Sequence, residues 1–152
     1  MARDIEAELD AILAPHKARV VQVRSEAATR TADEETFSRA ASDCLTRVIT
    51  PALQQLAQAL NERGVAARVP SDAGEARIDI PVSRHVRLGH GHGGYPYLRA
   101  RPDRQTRRIH FERNTSDSRG GSPVADYAIE DVKAELVTAM VLDLVRRLYG
   151  PF

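Results

Sequence analysis

Apolar residues in this chain recur at three- and four-residue spacing as far as Gly64. They then fall at alternate positions in separate stretches between Val65 and Phe111, interrupted by a polar, Gly-rich insertion at 88–94, and return to helical spacing from Val132. A period near 3.6 belongs to a helix and a period of 2 to a strand. That order of periods predicts an α+β chain: an N-terminal helical hairpin over 1–64, a three- to four-stranded antiparallel sheet over 65–113, a Gly/Ser-rich loop over 114–126, and a C-terminal helix over 127–150 packed on the sheet. At 152 residues the chain is expected to form a single domain.

The first segment, 3–30, carries Ile5, Leu9, Ile12, Leu13, Val20 and Val23 at helical spacing, with Pro15 expected to kink or divide it. His16 falls near the same stripe and reads as a histidine at a bend. One stripe with acidic flanks suits a helix that packs on one surface, either the next helix or a second subunit. Thr31 followed by Glu34 has the form of a capping box, so a second helix is expected to start there. Its apolar face runs from Phe37 through Cys44, Leu45 and Leu53 to Leu60. Pro51 should mark a kink or a junction, and Gly64 a left-handed cap.

After Gly64, Val65–Val69 and Ala76–Val82 read as strands separated by the turn Ser71–Gly74. The densest chemistry lies in Arg84–Arg113, which holds four of the five histidines. Tyr95–Arg101 and Thr106–Arg113 are expected to pair as a hairpin around Pro102–Gln105. Arg99 should then face Arg108, and Tyr97 should face His110. This register puts Leu98, Ala100, Ile109 and Phe111 on a core face. Tyr95, Tyr97, Arg99, Arg101, Arg108, His110 and Glu112 share the other face. Asn114–Val124 is expected to be loop, and the last helix to begin near Asp131.

Charge is unevenly placed along the chain. The net charge is +1, but residues 65–113 hold ten basic and five acidic side chains, against eight and ten in 1–64. Twenty of the 22 basic residues are arginine, a composition that a GC-rich, bacterial-type coding sequence also produces. Tyr95, Tyr97, Arg99, Arg101, Arg108 and His110 form the candidate ligand-binding face. Tyrosine rings can stack on bases, and arginines can neutralise phosphates. His85, His90, His92 and His110 form a candidate metal set, since neutral imidazoles bind Zn, Ni or Cu. Their spacing matches no established ligand motif, and no carboxylate lies close in sequence to His90 and His92. The loop Ser116–Ser122, with Gly120 and Gly121, could wrap an anion but is not followed by the Lys-Ser/Thr and helix of a phosphate-binding loop.

No serine sits in a nucleophile elbow, and Cys44 has no activating neighbours in sequence. No catalytic residue is therefore assigned and no cofactor is expected. A lone cysteine and the lack of an apolar leader point to the cytoplasm, and no apolar run is long enough to span a membrane. The expectation is a small, non-catalytic binding or assembly module, homodimeric or joined to a protein partner through its amphipathic helices. The alternatives are a nucleic-acid or phosphoanion binder using the Arg/Tyr face, and a metal-dependent hydrolase built on the histidine cluster.

Overall fold

The computed structural model describes residues 4–81, 96–115 and 121–150. His85, His90, His92, Tyr95 and Gly120 lie outside the described residues, as does Val82, the last residue of the expected strand Ala76–Val82. The chain divides into two units, Met1–Thr36 and Phe37–Phe152.

The described residues of the first unit are helical from Ile5 onward. Helix α1, Ile5–Cys44, begins in it and continues without a break into the second unit. Asp4 caps its start, Oδ1 accepting from the Ala7 N–H at 3.1 Å. Pro15 is carried inside the helix and does not divide it. The second helix start expected at Thr31 is absent, and with it the turn of the predicted hairpin. The Thr31 hydroxyl instead donates back to the Ala27 carbonyl at 3.0 Å, the bond a threonine makes inside a helix. Thr29 and Thr36 do the same to Ser25 and Ala32. A capping box competes with helix continuation, and flanks rich in Ala, Arg and Glu favour continuation.

In the second unit, α1 ends at Cys44 and passes into a π-helical turn, Leu45–Ile49, followed by helix α2, Thr50–Glu62. The Thr50 N–H reaches back five residues to Leu45 O, and Pro51, which has no N–H, follows at the start of α2. The junction expected at Pro51 is therefore this widened turn. Gly64 closes α2 with φ of 86°. Its N–H donates to Asn61 O at 3.1 Å and that of Val65 to Leu60 O at 2.9 Å, the left-handed cap that favours glycine. Asn61 Nδ2 donates to Ala57 O and Ala67 O, tying the following segment to the helix end.

Four strands make an antiparallel meander in the order β1-β2-β3-β4: β1 Ala76–Asp79, β2 Tyr97–Asp103, β3 Arg108–Asn114 and β4 Ser122–Tyr127. The strand expected at Val65–Val69 is reduced to one bridge, Arg68 to Asp79. β4 occupies part of the predicted 114–126 loop. Pro123 in it lies opposite Glu112, beside a bulge at Phe111/Glu112. Proline cannot donate to a ladder, and an edge strand tolerates that. A segment rich in Ser, Pro and Gly reads as loop from sequence, but an edge strand needs only one partner.

Among the described residues both faces of the hairpin are as predicted, but its register is shifted by four residues. Arg99 pairs with Glu112, Arg101 with His110 and Asp103 with Arg108. The predicted register would have set Arg99 against Arg108, and like charges directly opposite are unfavourable. The observed one makes two opposite-charge pairs instead. The turn moves to Arg104–Arg107, with Arg107 at φ of 56°. Asp103 Oδ1 accepts from the Gln105 N–H at 2.9 Å and the Thr106 N–H at 3.4 Å. Pro102, expected in the turn, lies in β2 beyond Tyr97–Ala100, the stretch that β1 pairs with.

Helix α3, Ala134–Tyr149, follows a 3-10 turn at Ile129–Asp131, three residues later than expected. It buries Val137, Val141, Leu144 and Leu148, while Leu136 and Met140 are only half-buried. With α2 it covers the sheet face made by Ala76, Ile78, Leu98, Ala100, Ile109 and Phe111, all 2 % exposed or less. Burying a side chain of leucine or phenylalanine size contributes about 1.5–3 kcal/mol, so this layer dominates the unit's stability. Phe111 and Tyr127 meet edge to face at 6.0 Å. At the strand end, Arg113 Nη1 reaches Asp143 Oδ2 on α3 at 2.8 Å.

Candidate ligand-binding face and exposed helix

Alternation places Arg77 and Asp79 of β1, Tyr97, Arg99, Arg101 and Asp103 of β2, and Arg108, His110, Glu112 and Asn114 of β3 on the sheet face away from α2 and α3. This face has two chemically different ends.

At the β1 end the charges are paired. Arg99 Nη2 makes an ion pair with Glu112 Oε1, and Arg99 Nε lies 3.6 Å from Glu75 Oε2. The Tyr97 hydroxyl donates to the same Glu112 oxygen at 3.3 Å, and the Arg99 guanidinium carbon lies 5.7 Å from the Tyr97 ring centre. Arg77 Nε lies 3.0 Å from Asp79 Oδ1. The Nε atoms of Arg77 and Arg99 are buried and make no aligned hydrogen bond among the described residues. Arg77 instead reaches Asp79 through Nη2, which donates to Oδ2 at 3.4 Å.

Burial pushes the Asp79 carboxyl above its ordinary value, against the opposing pull of Arg77 and Arg68. Burial also raises the Tyr97 phenol, with the Glu112 charge adding to the effect. Glu75 is raised by burial and by its hydrogen bond with Asp72. A desolvated group resists charging, so this end is a compensated network. Gly121 fits closely over it: a Cβ there would stand 2.9 Å from Tyr97 Oη and 3.2 Å from Arg113 O.

The hairpin end differs. Arg101, Arg104 and Arg108 are exposed beside His110 and Asp103. Arg108 Nη1 donates to the Asp126 carbonyl at 3.4 Å, and His110 Nδ1 lies 2.5 Å from Asp126 Oδ1. A carboxylate only accepts, so Nδ1 carries the proton in that contact. Turn N–H groups hold the Asp103 carboxyl below its ordinary value, Gln105 foremost.

Of the six candidate ligand-binding residues, the structure thus joins Tyr97 and Arg99 to Glu112. It sets Arg101, Arg108 and His110 together at the far end. Tyr95 lies outside the described residues. Of the metal set only His110 is described, and its neighbour is Asp126. Among the described residues no three His, Cys, Asp or Glu side chains gather as a ligand group. Cys44 is buried, and burial pushes its thiol up, away from thiolate chemistry. The acidic partners Glu75 and Asp126 escaped the sequence reading. Glu75 lies just before β1, and Asp126 falls in the strand that the loop assignment hid.

A second surface lies in the first unit. Every residue from Asp4 to Thr36 is exposed except Val20, which is half-buried. Ile5 is 63 % exposed, Ile12 70 % and Val23 61 %. At 100° per residue, Ile5, Leu9, Ile12, Leu13, His16, Val20 and Val23 fall within an arc of about 100°. No helix of the described residues is long and apolar enough to cross a membrane. No protein-family model, curated protein or solved structure matches this chain.

Proposed function

We propose that this chain is a cytoplasmic, non-catalytic binding or assembly module that homodimerises through the apolar stripe Ile5–Val23 of α1. The observation that carries the reading is the exposure of that stripe on a helix whose first unit has almost no buried side chain. A helix without a packed face is marginal in water, because most helix stability in proteins comes from burying an apolar face. Covering the stripe would supply that missing packing. Light scattering coupled to size exclusion is expected to give twice the 16.8 kDa chain mass. An Ile12→Glu/Leu13→Glu chain should elute as a monomer with its sheet unit intact. A parent chain that stays monomeric at high concentration defeats the proposal.

A second reading, phosphoanion or nucleic-acid binding, is favoured by the exposed arginines at the hairpin end, Arg101, Arg104 and Arg108. Binding of this kind weakens steeply with salt. An Arg101→Ala/Arg104→Ala/Arg108→Ala chain should lose oligonucleotide binding and its salt dependence. Equal binding by that variant and the parent removes the reading.

A further inference from the structure

We infer that the occupant of the α1 stripe is the same stripe of a second copy, running antiparallel. This rests on the assembly reading above and adds partner and orientation to it. The argument comes from the charges that flank the stripe.

On the helix, Glu6, Asp10, Lys17 and Arg24 lie along one flank of the apolar arc, and Glu8 and Arg19 along the other. As far as Arg24 the acidic residues come first in each flank and the basic ones later. Residues 4–10 hold four acidic side chains and no basic one, whereas 17–24 hold three basic and no acidic. In an antiparallel pair of helices each flank meets the same flank of the other copy. Centring the pair near Ala14 brings together residues whose numbers sum to roughly 28. Asp10 then meets Lys17 of the second copy, Glu6 approaches Arg24, and Glu8 meets Arg19. The two-fold axis repeats each contact. The same register sets Ile5 beside Val23 and Leu9 beside Val20, so charge and apolar packing choose one alignment.

A parallel pair would bring opposite flanks together at equal height. Glu6 and Asp10 would meet Glu8, and Lys17 would meet Arg19. Like charges would thus face each other along most of the stripe. Exposed pairs add little affinity singly, but they select orientation by penalising the alternative. The apolar stripe supplies the attraction and the flanking charges supply the direction.

The test uses full-length chains in a Cys44→Ala background. Glu6→Cys and Arg24→Cys chains are oxidised alone and after mixing. Position 6 of one copy faces position 22 of the other in the antiparallel pair. The two copies of residue 6 are then separated by about 24 Å along the axis, far beyond disulfide reach. The mixed sample should cross-link 6 to 24 at about ten times the yield of 6 to 6. As a second arm in the native chain, Glu6→Lys/Glu8→Lys/Asp10→Lys should weaken dimerisation at least about tenfold by setting like charges opposite. Adding Lys17→Glu/Arg19→Glu/Arg24→Glu to that chain should restore it, which a parallel pair would not do. A dimer that cross-links 6 to 6 overturns the orientation and leaves the assembly reading standing. A dimer with neither disulfide and no response to charge reversal overturns the stripe as the interface. A monomer at every concentration, or a stripe held by a different protein, overturns the second copy as occupant.

Discussion

Arg99 on β2 and Glu112 on β3 stand directly opposite each other and close an ion pair on the sheet face away from the helices. Glu112 keeps only 10 % of its side-chain surface exposed and also accepts from Tyr97. Breaking a fully buried pair costs about 3–5 kcal/mol because one charge is left desolvated. Arg99 retains a quarter of its side chain in water, which lowers the cost here. Arg99→Met is expected to lose about 1–3 kcal/mol in chemical denaturation. Adding Glu112→Gln should recover part of that loss, and strict additivity in the double-mutant cycle would show that the pair is not coupled.

Gly121→Ala tests the close approach over that pair. The added methyl would meet Tyr97 Oη and the Arg113 carbonyl. Overpacking of this kind costs about 1–3 kcal/mol. Tyr97→Phe removes the nearer obstacle, so the double variant should regain part of the loss in thermal unfolding. An alanine tolerated without any shift in Tm contradicts the packing.

The pH dependence of Asp79 has a definite sign. Burial raises its folded-state carboxyl value above the ordinary aspartate value of about 3.9. Its contribution to stability is therefore fully present below about pH 3.9 and is lost as pH rises through the raised folded-state value. Asp79→Asn does not titrate. The parent should thus gain stability relative to Asp79→Asn as pH falls from 6 to 4, measured by urea unfolding at each pH. A gap that moves the other way would mean that Arg77 and Arg68 outweigh desolvation.

Thr31 distinguishes a continuous helix from a capped start. As an N-cap its replacement by alanine would cost about 0.5–2 kcal/mol. Inside α1, where its hydroxyl bonds back to Ala27 O, alanine is the better helix former by a few tenths of a kcal/mol, roughly. Thr31→Ala should leave helicity by circular dichroism unchanged or raised. A clear loss would restore the helix boundary at Thr31.

Asp143 joins α3 to β3 through Arg113 and to Arg147 in its own helix. The Arg147 hydrogen bond, foremost, holds its carboxyl below the ordinary range. A depressed value gives stability present above the unfolded value and lost as pH falls through the folded one. Asp143→Asn should therefore lower Tm at pH 7 and match the parent at pH 2. Because the Asp143 side chain is 43 % exposed, salt should shrink the difference.

The α+β order, the faces of the hairpin, the Gly64 cap and the junction at Pro51 were all legible in the sequence. Each follows from a local rule: side-chain period, the freedom of glycine, or the missing N–H of proline. Of the candidate site, the sequence placed Tyr97, Arg99, Arg101, Arg108 and His110 on one face. It could not say that Arg99 would be claimed by Glu112 while Arg101 stayed open. A shift of four residues leaves both faces unchanged, so alternation is blind to it. Cross-strand charge and the Asp103 turn bonds decided the register. Tertiary pairing likewise made a strand of Ser122–Tyr127, because an edge needs only one partner and accepts Pro123. The continuation of α1 past Thr31 turned on a competition between two hydrogen bonds open to one hydroxyl, and local pattern does not rank them. Period and residue type determined which side chains share a surface, whereas long-range pairing decided which of them meet.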